Sequence, residues 1–102
     1  MNQVTINLEK QVRPVHPGEV IADLLEDWGM TVIDFSKKLD VSPDAVEAII
    51  QGHLPVTTDM AIRLGKALGN GPQLWLNLQQ KVDIWDAMQK KADDYGNICS
   101  IS

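Results

Sequence analysis

The sequence predicts an all-α fold of five helices, the last of them long, with a short N-terminal strand as an optional addition. Three observations carry this. Apolar residues recur at three- and four-residue spacing in successive stretches from residue 16 to residue 91. Each stretch is bounded by helix-starting Ser, Thr or Pro and most of them by helix-ending Gly. Strand-like alternation is confined to residues 3–8: Gln3, Val4, Thr5, Ile6, Asn7 and Leu8. The 102 residues amount to one domain, and a hydrophobic content of 44% is enough for a modest core. The chain divides into an arm over 1–14, a helical domain over 15–91 and a loosely ordered tail over 92–102.

The elements follow in order. His16-Pro17-Gly18-Glu19 opens the first helix, with Pro17 in the first turn, where a missing N–H costs nothing. Val20, Ile21, Leu24, Leu25 and Trp28 line one face, and Gly29 stops the helix. Thr31 caps the second helix, whose core residues are Phe35 and Leu39. Asp40 stands where the chain must turn through an unusual backbone angle; glycine fits best there, and Asp is among the residues that also visit left-handed conformations. Ser42 caps a third helix that starts on Pro43, buries Val46, Ile49 and Ile50 and ends at Gly52. After a loop, Thr57 or Thr58 caps a fourth helix with Ala61, Leu64 and Leu68 inside, stopped by Gly69.

Gly69-Asn70-Gly71-Pro72 breaks the chain before a helix over residues 72–91, about 30 Å long. Trp75, Leu78, Val82 and Trp85 form one stripe on it, while Leu76, Ile84, Ala87 and Met88 lie mostly off that stripe. Four short helices have little surface with which to cover both sides. The second side is therefore expected to pack on another copy or on a partner, with Trp75, Ile84, Trp85 and Met88 as the dimer-interface residues.

Composition excludes several classes. The net charge is −5, so a generic electrostatic binder of DNA or membrane is excluded; DNA binding requires the few cations to gather on one face. A single cysteine, Cys99, permits no internal disulfide and fits a reducing cytosol. No signal peptide or membrane-length apolar run is present, so the expected location is cytoplasmic. His16 and His53 are the only histidines, at a helix start and in a loop, and no metal-ligand spacing joins them, so no metal or cofactor is expected. Gly65, Gly69 and Gly71 lack the strand that precedes a phosphate loop, and helix packing and capping explain them. Asp83 and Asp86 read as a solvated helix face. The expectation is a binding protein, not an enzyme.

Residues 31–52, TVIDFSKKLDVSPDAVEAIIQG, join the second and third helices by a tight turn. This is the layout of a helix-turn-helix, whose second helix lies in the DNA major groove. Here that helix offers Asp44, Ala45, Glu47, Ala48 and Gln51 and carries no Lys or Arg. Over residues 31–57 the net charge is −2. The candidate DNA contacts are Lys37, Lys38, Ser42, Gln51 and the loop residue His53, with Asp44 and Glu47 beside phosphate or cytosine; Arg63 and Lys66 join them if they point the same way.

Residues 31–52 resemble the Cro/C1-type (Xre) helix-turn-helix, with Phe35, Ser36, Leu39, Val41, Val46 and Ile49 at its apolar or small positions. HPGEVI at 16–21, TTDMAIRLGKALG at 57–69 and WLNLQQKVDIWDA at 75–87 extend the resemblance to the HigA-type antitoxins, over about residues 15–88. The resemblance implies a homodimer that binds a HigB-like toxin, a small basic mRNA endonuclease, and represses its own operon by binding operator DNA. The chain departs from the pattern on the DNA side. Val32 stands where the family commonly has a phosphate-binding Gln. Pro43, Asp44, Ala45 and Glu47 replace polar or basic residues, and Gly52-His53-Leu54 replaces Gly-Lys-Arg. DNA binding is therefore expected to be weak. Three readings stay open: an antitoxin and autorepressor, an antitoxin with a decayed DNA-reading helix, and a stand-alone Xre-type regulator.

Overall fold

Helix starts and stops land where capping chemistry puts them. The computed structural model describes residues 12–101, in which all regular structure is helical: α1 Pro17–Trp28, α2 Val32–Leu39, α3 Pro43–Ile50, α4 Thr58–Leu68, α5 Pro72–Lys90 and α6 Ala92–Gly96. The strand expected over residues 3–8 lies outside the described residues. Thr31, Ser42 and Thr57 each accept a hydrogen bond from the backbone N–H three residues on, at 3.1, 3.2 and 3.2 Å. These bonds satisfy donors that the first turn of a helix leaves open. Pro17, Pro43 and Pro72 each open a helix. Asp40 adopts the left-handed conformation, φ 58° and ψ 48°, and is the only non-glycine residue among those described with a positive φ.

The helix count differs from the five expected. Lys91, at φ −119°, breaks α5, and Ala92–Gly96 forms a sixth, fully exposed turn in the tail. Its first turn carries Asp93 and Asp94, carboxylates that suit the positive end of a helix dipole.

The core runs through α1 to α5: Ile21, Leu25, Phe35, Leu39, Val46, Ile49, Val56, Met60, Ala61, Leu64 and Trp75 form one buried cluster. Two glycines let backbones meet. A Cβ on Gly18 would collide with the carbonyl of Ile49, and a Cβ on Gly65 with the backbone of Gly71 and Pro72. Gly18 thus brings the start of α1 against the end of α3, and Gly65 brings α4 against the start of α5.

Trp75 is completely buried in this core, and its indole N–H donates to Asn70 Oδ1 at 3.3 Å. This corrects its assignment to a dimer interface. Trp75 and Trp85 share a stripe, but the first half of α5 packs on α4, and the second half extends past that support. Ile84 and Met88 there are 56% and 52% exposed.

His16 caps α1. Its Nδ1 accepts from the Gly18 N–H at 2.9 Å, while its own N–H donates to Glu19 Oε2 at 3.2 Å, a reciprocal capping box. Burial holds the imidazole below its ordinary 6.5, and the nearby Arg13 charge adds to that, against the opposing pull of Glu19, Asp86 and Asp83. A depressed histidine contributes stability that is complete above the unfolded value and is lost as pH falls from 6.5 through the folded value. Protonation at Nδ1 also removes the acceptor for Gly18. The parent should therefore lose more thermal stability between about pH 8 and about pH 5.5 than His16→Asn, a cap that does not titrate. Parallel melting curves with pH for the two proteins would refute this.

Candidate nucleic-acid interface

The α2–turn–α3 unit is held from inside and outside. Phe35, Leu39, Val46 and Ile49 anchor it to the core. Buried Ser36 donates its hydroxyl to the Ile33 carbonyl at 2.7 Å. The outer side of α3 carries exposed Pro43, Asp44 and Glu47, with exposed Ser42 before it and Gln51 after it. The predicted residues of α3 therefore do share one exposed face. They are not independent, however: Gln51 Nε2 donates to Glu47 Oε2 at 2.9 Å. One of the two N–H donors of the Gln51 amide is engaged, and the face otherwise presents mainly acceptor oxygens. Acceptors match the amino groups of cytosine and adenine in the major groove and repel phosphate.

Lys37 and Lys38, in the last turn of α2, are exposed and pair with no carboxylate among the described residues. They line an open groove of about 500 Å³ with Trp28, Gly29, Met30 and Asp34. Trp28 is 49% exposed. Arg63 is used differently. One guanidinium nitrogen donates to the carbonyls of Leu39 and Asp40 at 2.9 and 3.0 Å, and Nε donates to Asp59 at 2.8 Å. The hydrogen bond and charge of Asp59 raise its pKa above the ordinary arginine value. Lys66 is exposed on the same helix.

The loop after α3 is fixed by a residue that sequence reasoning missed. Gln79 of α5 is buried, accepts from the Val56 N–H at 2.8 Å and donates to Asp83 at 2.9 Å. Without it the buried amide of Val56 would lack a partner, a loss of about 1–3 kcal/mol. His53 is exposed on this loop, and its N–H donates to the Ala48 carbonyl at 2.8 Å. Its side chain lines a polar cleft with Arg13, His16, Gln79, Asp83 and Asp86, so it sits at the edge of the α3 face, towards α5. Arg13 closes the cleft with two hydrogen bonds to Asp86, at 3.1 and 3.2 Å. Among the described residues, no three of His, Cys, Asp and Glu converge to hold a metal ion. No helix there is long and apolar enough to cross a membrane.

On the far part of α5, Ile84, Trp85 and Met88 line an apolar groove with Pro14, Lys81 and Gln89. Three of the four expected interface residues are thus together and accessible, and Trp75 is not.

A recognition helix set on a preceding helix through a left-handed turn, with both anchored in a five-helix core, defines a helix-turn-helix domain of the Cro/C1 type. No protein-family model matches the chain. Antitoxin HigA-1 of Vibrio cholerae is 36% identical over 83 residues, covering 80% of this chain and 78% of the relative. The chain belongs to the HigA family of Xre-type antitoxins. Among solved structures, a protein described as an antidote of a plasmid maintenance system from Nostoc punctiforme is 52% identical with a TM-score of 0.79, covering 89% of this chain and 100% of that one. The Pseudomonas aeruginosa antitoxin HigA, solved with the higBA promoter, is 29% identical with a TM-score of 0.83, covering 88% and 100%.

Proposed function

We propose that this protein is the antitoxin of a type II toxin–antitoxin pair, a cytoplasmic protein without enzymatic activity. It neutralises a HigB-like mRNA endonuclease by direct binding and represses its own operon by binding operator DNA. The observation that carries the reading is the match to an antitoxin along four-fifths of the chain. A relative of the same fold, solved with promoter DNA, supports the repressor half. The domain over residues 15–91 performs both tasks. Ile84, Trp85 and Met88 join two copies, so that two recognition helices stand about one DNA turn, roughly 34 Å, apart. Ser42, Asp44, Glu47, Gln51 and His53 face the groove, and Lys37 and Lys38 supply the cations. The acidic chain suits a basic toxin.

A second reading rests on a specific observation, the cation-free α3 with Gln51 tied to Glu47. In it the protein still binds the toxin, but the DNA-reading face has decayed. A gel shift with the DNA upstream of the gene, with and without any neighbouring basic protein, separates the readings. The proposal expects a shift by the antitoxin alone and a complex with the neighbour that abolishes RNA cleavage. A complex without a shift selects the second reading. A shift with no toxin partner points to a stand-alone regulator and overturns the antitoxin assignment.

A further inference from the structure

We infer that Arg63 is a positioning residue of the helix-turn-helix, locking the α2–α3 turn in its reading geometry, and is not a phosphate contact. The inference rests on the DNA-binding half of the reading above. The last carbonyls of α2 have no partner within their helix. The turn then passes through Asp40 in a left-handed conformation that is unfavourable for a non-glycine residue. Something must hold it there. The carbonyls of Leu39 and Asp40 both accept from one nitrogen of Arg63, 24 and 23 residues further along the chain. Asp59, in the first turn of α4, holds the guanidinium from the other side through Nε. One side chain therefore ties the end of α2, the turn and α4 together through charge-assisted hydrogen bonds.

The same geometry argues against a phosphate role. Nε and one terminal nitrogen are committed within the protein, and the salt bridge with Asp59 cancels the charge locally. Lysine could not replace this arginine. A planar fork reaches a carboxylate and two carbonyls at once, whereas an ammonium is a point donor on a flexible stem. α3 reads DNA as a rigid unit, so loosening the turn tilts every side chain on it together.

The test compares Arg63→Lys, Arg63→Ala and Asp59→Asn with the parent. In the free protein, hydrogen exchange is read at the turn amides of Asp40 and Val41, which donate to the carbonyls of Lys37 and Ser36. Loss of the clamp should speed exchange there about tenfold while the Lys91 amide, which donates to the Ala87 carbonyl at the end of α5, is unchanged, because fraying of that end leaves the clamp intact. In operator titrations across several salt concentrations, both Arg63 variants should bind about tenfold more weakly, the scale of a lost charge-assisted hydrogen bond. The slope of log K against log salt should stay that of the parent. A phosphate contact behaves otherwise: Arg63→Lys keeps the affinity, and Arg63→Ala loses about 0.9 of slope per protomer. Asp59→Asn separates the two by sign, weakening binding if Asp59 holds the clamp and tightening it if Asp59 only repels DNA. Unchanged exchange at the turn, or slope loss with rescue by lysine, overturns the inference. If the parent does not bind its operator, the DNA reading fails and the exchange rates alone decide the clamp. Should Arg63→Ala fail to fold, Arg63→Lys and Asp59→Asn carry the same comparison.

Discussion

Trp75→Ala is expected to destabilise the protomer by about 3–5 kcal/mol, the range for deleting a buried large aromatic. Its indole is completely buried within one chain and hydrogen-bonded to Asn70. The loss is a large part of the total stability of about 5–15 kcal/mol usual for a domain, so the variant will be marginally folded. Trp85→Ala should act differently. Trp85 is half-buried at the edge of the groove that it shares with Ile84 and Met88, and truncating it should leave the protomer folded while weakening self-association. Urea unfolding read by circular dichroism, combined with ultracentrifugation over a range of concentrations, distinguishes the two. A Trp75→Ala protein that unfolds at the parent's midpoint yet sediments as a monomer would return Trp75 to the interface and overturn the core assignment.

That contrast shows where the sequence stopped being legible. Trp75 and Trp85 lie on one stripe of one helix, and periodicity reports a face but not how far along the helix the support reaches. Local chemistry was readable because its partners are near in sequence. The caps at Thr31, Ser42 and Thr57 bond three residues ahead. The left-handed Asp40 follows from the break between two helical patterns. The α3 face was also readable as a face, yet the pairing of Gln51 with Glu47 turned two candidate readers into one hydrogen-bonded unit. Gln79 and Arg63 were not readable as site-shaping residues. Each is a polar residue on a helix, as most are, and its decisive partners lie more than 20 residues away in the chain. Gly18 read as part of a helix start, but its role is to admit the Ile49 carbonyl, a fact of tertiary packing. Within the helix-turn-helix, Lys37 and Lys38 are the cations that neither the turn nor a carboxylate claims among the described residues.

The double change Lys37→Ala with Lys38→Ala should remove most operator binding. With α3 free of cations and Arg63 committed to the turn, these are the unpaired cations of the helix-turn-helix among the described residues. A dimer presents four of them, and at about −0.9 per neutralised phosphate the slope of log K against log salt should be about −4. Raising salt from about 50 to about 200 mM should then cost the parent about a hundredfold in affinity. In the double variant the slope should collapse towards zero and little binding should survive at low salt, because the remaining α3 face is acidic. Both lysines also sit in the last turn of α2, where a cation complements the helix dipole, so some stability will be lost as well, about 0.3–1 kcal/mol for each. Titrations must therefore be made well below the melting temperature of the variant, with circular dichroism confirming that it is folded. If the folded double variant binds operator with the parent's affinity and slope, Lys37 and Lys38 serve only their own helix. Neutralisation of phosphate would then have to come from cations outside the helix-turn-helix.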